Sequence, residues 1–160
     1  MDIQIIIGLI LTILPITELR GGLPVIVEYA LRNNVSVWPY FILVLILNIF
    51  VIFFIFFFLD FLHKYFMKIE TYRRVMDKIM KRVERKSVAL EKKTGILQYL
   101  LLAFFVAIPL PGTGAWTGTL LAWFLGMSRK KSFLAIALGV IVAGVIILFG
   151  SLGVFGFLLG

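Results

Sequence analysis

The feature that most limits the fold is a run of 35 residues without a charge, 94–128, interrupted at its centre by Pro109-Leu110-Pro111-Gly112-Thr113-Gly114. As one helix it would be about 52 Å long, well beyond the roughly 30 Å hydrocarbon core of a membrane. The proline and glycine cluster divides it into two short pieces. A second interruption lies near the N-terminus, at Pro15-Ile16-Thr17-Glu18-Leu19-Arg20-Gly21-Gly22-Leu23-Pro24. Each break leaves a helix of about 12–14 residues before it and about 8–12 after it, enough to reach halfway across. Irregular backbone at membrane depth survives only where protein or a wet cavity surrounds it. The expectation is two re-entrant hairpins that dip to mid-membrane and return.

Two other charge-free runs suit full spans. Residues 38–60 begin at the interfacial group Trp38-Pro39-Tyr40 and end at Asp60, and residues 132–150 carry a Gly-rich tail behind them (Gly150, Gly153, Gly156, Gly160). The chain is 62% hydrophobic yet holds 16 Lys/Arg against 8 Asp/Glu, a net charge of +8. The distribution of that charge decides the topology. Eleven basic residues fall in 62–94, three at Arg129-Lys130-Lys131, and only Arg32 in the predicted outer loop. Both clusters lie on the cytoplasmic side only if both broken segments are re-entrant. The expected protein is therefore an all-α, multi-pass protein of the cell (plasma) membrane, with 62–94 and 128–132 cytoplasmic. Its single domain, 1–160, contains two inverted repeats, 1–61 and 95–160, each a re-entrant helical hairpin plus a transmembrane helix. Pro15 to Gly22 aligns with Pro111 to Gly118 at the same spacing. Met1-Asp2-Ile3 lacks the basic start of a secretory signal, so the first apolar run is expected to be retained.

The connecting stretch 62–94 has apolar residues at helical spacing (Leu62, Phe66, Ile69, Tyr72, Met76, Ile79, Val83, Leu90). Its i,i+4 pairs Glu70–Arg74 and Asp77–Lys81 have the favourable order. It reads as a basic amphipathic helix, either lying on anionic headgroups or serving as a solvated connector.

Chemistry is narrowed by what the chain lacks. It has no cysteine and a single histidine, His63, which excludes thiolate sites and makes a His-based metal cluster or Ser-His-Asp triad untenable. There is no phosphate-transfer motif. Neither an enzyme, a cofactor, a metal nor a nucleic-acid partner is expected. What stands out is a pair of charges within the grease. Each ionised side chain at mid-membrane costs roughly 2.5–3.5 kcal/mol, and such residues mark transport paths by default. Glu18 and Arg20 could simply neutralise one another. Alternatively they face a substrate. Gly21 and Gly22 allow close approach or positive φ, and Pro24 suits the first turn of the returning helix. In the second break Pro109, Pro111, Gly112 and Gly114 shape the turn, and Thr113 or Thr117 can cap the following helix. Two helix N-termini near mid-membrane, with Arg20, would suit an anion such as a phosphate. Glu18 would then couple transport to protons or sodium. Trp116 and Trp123 read as core packing or as walls for a lipid tail. Asn48 reads as a helix–helix hydrogen bond, and Ala135, Gly139 and Ala143 as a close-packing face.

Glu18-Leu19-Arg20-Gly21-Gly22-Leu23-Pro24 and Pro109 to Gly118 resemble the paired motifs of the small multidrug export protein family, which is similar to the wider DedA/VTT membrane protein superfamily. The resemblance covers nearly the whole chain. It implies the double re-entrant inverted-repeat fold. It also implies the superfamily's proposed activities: proton- or cation-coupled recycling of polyprenyl-phosphate carriers, and phospholipid scrambling in eukaryotes. Glu18 resembles the acidic residue of the first re-entrant loop. The second loop departs from the DedA pattern, with Trp116 and no charge where arginines are typical.

The leading expectation is thus a transporter, flippase-like, for a lipid-linked phosphate such as polyprenyl or dolichyl phosphate. Its head would lie between the re-entrant tips and its tail in lipid. The alternatives are an exporter of small amphipathic drugs or cations that uses Glu18, and a non-transporting membrane scaffold. With only two full spans to surround the tips, a homodimer is expected.

Overall fold

In an apolar surrounding the backbone has no water to bond, so apolar runs close their hydrogen bonds internally as helices. The structure, a computed structural model, describes residues 2–70, 73 and 95–159. Its elements are α1 (Ile3–Ile13), α2 (Glu18–Arg32), α3 (Trp38–Phe66), α4 (Leu97–Ala107), α5 (Ala115–Phe124) and α6 (Arg129–Leu159), with no strand among the described residues. Helices α3 and α6 are long and apolar enough to cross a membrane. The other four are shorter. At 1.5 Å per residue α1 and α4 are each about 16 Å long, and α5 about 15 Å.

The breaks fall where proline and glycine place them, but their extents differ from the sequence reading. Helix α2 starts at Glu18, six residues before Pro24, so Gly21, Gly22 and Pro24 are all helical. Pro24 does not begin the returning helix. It lies inside α2 and leaves the Arg20 carbonyl without its i+4 donor. Nor do Gly21 and Gly22 supply a positive φ: that conformation falls on Glu18 (φ 49°) and, in the second break, on Gly112 (φ 82°). The second long helix does not stop at 150. It continues through Gly150, Gly153 and Gly156 to Leu159, because the residues between these glycines are apolar and apolar surroundings reward closed backbone bonds. Helix α3 likewise runs past Asp60 to Phe66. The predicted amphipathic helix 62–94 lies outside the described residues from 71 onward, apart from Arg73.

Contacts fix the directions. Helices α1 and α2 are antiparallel: Gly8 meets Ile26, Gly22 meets Thr12, and Tyr29 donates to the Asp2 carboxylate. Helices α3 and α6 are antiparallel too, with Leu45 against Gly144 near one end and Asp60 paired with Arg129 near the other. Tyr99 of α4 and Trp123 of α5 both lie at the Asp60 end, through Ser128 and Asp60 respectively. Helix α2 leads through residues 33–37 to the Trp38 end of α3. The first hairpin therefore opens at the Trp38 end and the second at the Asp60 end. Their turns meet between, at the level of Asn48, whose Nδ2 donates to the Thr12 carbonyl at 3.0 Å.

The hairpins pack differently. Helix α1 lies mainly on α2, whereas α4 lies mainly on α6 rather than on α5. Small residues permit both contacts. A Cβ at Gly22 would collide with Thr12 Oγ1 and the Gly8 carbonyl, and one at Gly139 would lie 2.6 Å from the Ala103 carbonyl and 2.7 Å from Val106 Cβ. The predicted Ala135–Gly139–Ala143 face thus packs within the chain, against α4. Gly118, which aligns with Gly22, likewise abuts its own hairpin's first helix, at Val106. The buried core joins Leu19, Leu23 and Ile26 of α2 to Val44 and Ile52 of α3 and to Ile136 and Val140 of α6. Outside it, Phe50, Phe53, Phe54, Phe57, Phe58 and Phe61 project from α3 uncovered. An apolar surface of that extent is what lipid covers.

These contacts separate structural from tolerant glycines. Gly139→Val should lower the unfolding midpoint in detergent by an amount equivalent to about 1–3 kcal/mol, the usual cost of overpacking. Gly150→Ala, at a helical position with nothing within 4 Å of a new Cβ, should not lower it and should raise it by the equivalent of at most about 1 kcal/mol.

Candidate functional site

The two turns are joined by one buried ion pair. Glu18, the first residue of α2, has left-handed backbone, a conformation that costs a non-glycine residue roughly 1–2 kcal/mol. Its side chain is compensated by three donors. Oε2 accepts from Arg20 Nη1 at 2.8 Å and from the Ala115 amide at 3.1 Å, and Oε1 accepts from the Trp116 amide at 3.0 Å. Those amides are the free N–H groups at the start of α5. Neither Thr113 nor Thr117 caps α5, as the sequence suggested. Gly114 is the N-cap residue, with no side chain to offer, and the carboxylate comes from the other hairpin.

Arg20 serves the opposite end of the same break. Its Nη2 lies 3.1 Å from the Val106 carbonyl, 3.0 Å from the Ile108 carbonyl and 3.1 Å from Thr113 Oγ1. Val106 and Ile108 close α4, where carbonyls lack helical donors and the helix end carries partial negative charge. A cation thus lies on the C-terminus of α4 and an anion on the N-terminus of α5. The Thr113 hydroxyl is directed at the Ile108 and Leu110 carbonyls, at 2.7 and 2.8 Å, which tightens the turn. The second hairpin gives a bond back: Trp116 Nε1 donates to the Ile13 carbonyl, the last residue of α1, at 3.1 Å. Arg20 Nε is buried without a partner.

Glycine at 114 is required for space. A Cβ there would fall on Glu18 Oε2 and on Arg20 Nη1. Gly112 answers to backbone conformation instead, since its φ of 82° suits no other residue well. Of the residues proposed from sequence, Glu18, Arg20, Thr113, Gly114 and Trp116 converge on one locus. Pro109, Pro111 and Gly112 form an exposed turn beside it. Gly21 and Gly22 face α1 and Thr17 rather than the pair, and Pro24 and Thr117 are half-buried outside it.

Sequence reasoning missed the acceptors, because the Val106, Ile108 and Ile13 carbonyls are backbone and carry no residue-type signal. It also missed a second polar cluster. Asp60 accepts from Trp123 Nε1 at 3.1 Å and pairs with Arg129, and His63 meets the Trp123 ring edge-on at 5.5 Å between centroids. Asp60 is the one acid in the long apolar stretch 33–63, and that isolation was its signal.

Among the described residues, six helices, two of them long and apolar, and an ion pair buried where two turns meet define an all-helical membrane protein with a central polar site. The chain belongs to the family described as "Putative small multi-drug export protein", whose model matches residues 18–146. The match begins at Glu18 itself. No curated protein and no solved structure matches the chain.

Removing one member of a buried, hydrogen-bonded pair costs about 3–5 kcal/mol. Glu18→Ala should therefore lower the unfolding midpoint strongly. Gly114→Ala should do so by displacing the same carboxylate, and the double variant should lose little more than Glu18→Ala alone, a non-additivity that a double-mutant cycle measures directly.

Proposed function

We propose that this protein is a transporter, not an enzyme, that carries a lipid-linked phosphate of the polyprenyl or dolichyl type across the plasma membrane with proton or sodium coupling. The observation that carries this reading is the Glu18 carboxylate on the N-terminus of α5 beside Arg20. An anion already occupies the anion site, and it belongs to the protein. When Glu18 takes a proton its hold on the amides and on Arg20 weakens. The Ala115 and Trp116 amides and the Arg20 guanidinium, including its unpartnered Nε, then become available to a phosphate. A phosphate monoester presents the oxygen acceptors that this donor set requires. Deprotonation of Glu18 returns the carboxylate and expels the phosphate. Proton and phosphate are thereby linked at one locus, with no long-range coupling needed.

The arrangement of the hairpins supports the accompanying topology. They open at opposite ends of α3 and their turns meet near Asn48, as two re-entrant inverted repeats would. Arg20 retains some exposure at this locus, with 11% of its side chain accessible. A second copy completing the enclosure is part of the proposal.

The family's description favours a second reading, export of small amphipathic cations. Such a substrate must compete with Arg20 for Glu18, at 2.8 Å, so its entry carries the cost of releasing a buried arginine.

Reconstitution in liposomes with labelled polyprenyl phosphate, with and without a pH gradient, tests the proposal. Wild-type protein should move the label faster with the gradient. Glu18→Gln, which keeps the shape of the side chain, should reduce transport to background while reaching the membrane in normal amount. Arg20→Ala should also abolish transport, together with the loss of stability that breaking the pair brings. Uptake of a lipophilic cation in place of the phosphate lipid would establish the second reading. Wild-type behaviour of Glu18→Ala in cells would point to a scaffold.

A further inference from the structure

A groove of about 560 Å³ lies between α3 and α6, and neither Glu18 nor Arg20 lines it. On α3 its wall is Phe53, Phe56 and Phe57, with Asp60 above them; the spacing i, i+3, i+4, i+7 puts all four on one helix face. On α6 the matching wall is Phe133 and Leu134, with Arg129 and Lys130 one turn nearer the helix start. The two helices are antiparallel, so the polar residues of both gather at one end and the apolar residues of both at the other. Phe53 lies about 10 Å along α3 from Asp60. The groove is thus graded from charged to aromatic along the direction in which a lipid stands.

Its charge selects the occupant. Arg129 is held in place by Asp60 and by the Phe56 ring, with Cζ 5.5 Å from the ring centroid. Lys130 is exposed and makes no ion pair among the described residues. Asp60 neutralises one of the two cations, and Lys64 is near enough to Asp60 to act on it, so the mouth is net positive. A soluble anion would use the mouth and leave the phenylalanines bare. A zwitterionic lipid would bring a cation against Lys130. We propose that this groove is a site for one anionic phospholipid, its phosphodiester on Lys130 and Arg129 and an acyl chain against Phe53, Phe57 and Leu134. This is separate from the substrate proposed at Glu18 and stands or falls without it.

Native mass spectrometry of the full chain, released from micelles holding equal phosphatidylglycerol and phosphatidylcholine of the same chain lengths, tests this site. Wild-type protein should keep one phosphatidylglycerol, at least five-fold above phosphatidylcholine. Lys130→Glu should cut that adduct at least five-fold, while Lys68→Glu, outside the groove, should retain it. Excess glycerol phosphate should not displace it. Equal retention of the two lipids, an unchanged adduct in Lys130→Glu, or equal loss in Lys68→Glu would overturn the site, as would displacement by glycerol phosphate. Lys130 is exposed, so its substitution does not endanger folding.

Discussion

Everything at the centre of this molecule depends on how one interrupted helix finishes its hydrogen bonds. Between Ala107 and Ala115 the second apolar run stops and restarts, leaving carbonyls without donors on one side and amides without acceptors on the other. In water the solvent would bond both. Away from water each unsatisfied group is costly. Beyond its own backbone bonds, such as the Leu110 amide on the Ile108 carbonyl, the turn has one polar side chain to offer, the Thr113 hydroxyl. Arg20 and Glu18, two residues apart in the other hairpin, serve the two ends together. Their charges match the helix ends they meet. The pairing also requires an unusual backbone: residues i and i+2 do not face one another on a regular helix, and the left-handed Glu18 is what lets the first turn of α2 bring both side chains to the break.

This arrangement makes the two hairpins depend unequally on each other. The first is held to itself, with α1 along α2 and Gly8 and Gly22 at the close contacts. The second is spread, with α4 on α6 and α5 held by α3, by α6 and by Glu18. Its turn, with exposed Pro109 and Pro111, is tied down through Thr113 and Arg20. Loss of the carboxylate would leave the first hairpin's packing intact while releasing the start of α5. In the proposed transport cycle the second turn is therefore the element that shifts, and the first hairpin is the frame.

Much of this was legible in the sequence because membranes make composition speak plainly. A 35-residue apolar run with two prolines and two glycines at its centre has few foldings, and its break was read where the structure has it. The first break, by contrast, is shorter than the stretch Pro15–Pro24 read from sequence and ends before Glu18. Glu18 and Arg20 stood out because charges in such runs are expensive. The limits are as physical. Pro24 looked like a helix start because Pro favours that position, but the chain tolerates it in the middle of α2, where it leaves the Arg20 carbonyl without its i+4 donor. Gly21 and Gly22 looked like turn residues, whereas Gly22 lets α1 approach and Gly21 leaves room for the Thr17 side chain. Gly150, Gly153 and Gly156 were read as a Gly-rich tail behind the span 132–150, yet apolar neighbours carry the helix through them to Leu159. What no sequence pattern could announce is that the cap of α5 lies 97 residues upstream, at Glu18. A cap is read locally as Ser, Thr, Asp or Asn at the N-cap, and Gly114 holds that position in order to leave room for a distant carboxylate.

That choice bears on why an ion pair is there at all. A buried pair is a poor way to gain stability, since apolar residues of similar volume often serve as well or better. Helix ends can also be capped from within, by Ser, Thr, Asp or Asn at the N-cap. Thr113 immediately precedes Gly114, so an internal cap was one position away. The chain instead uses a carboxylate whose charge can be removed by a proton, on a site whose donors suit another anion equally well. A permanent cap would make the junction of the hairpins unconditional. An ionisable one makes it depend on the protonation of a single residue, and in the proposed transport cycle that dependence is what would let the two hairpins part and rejoin.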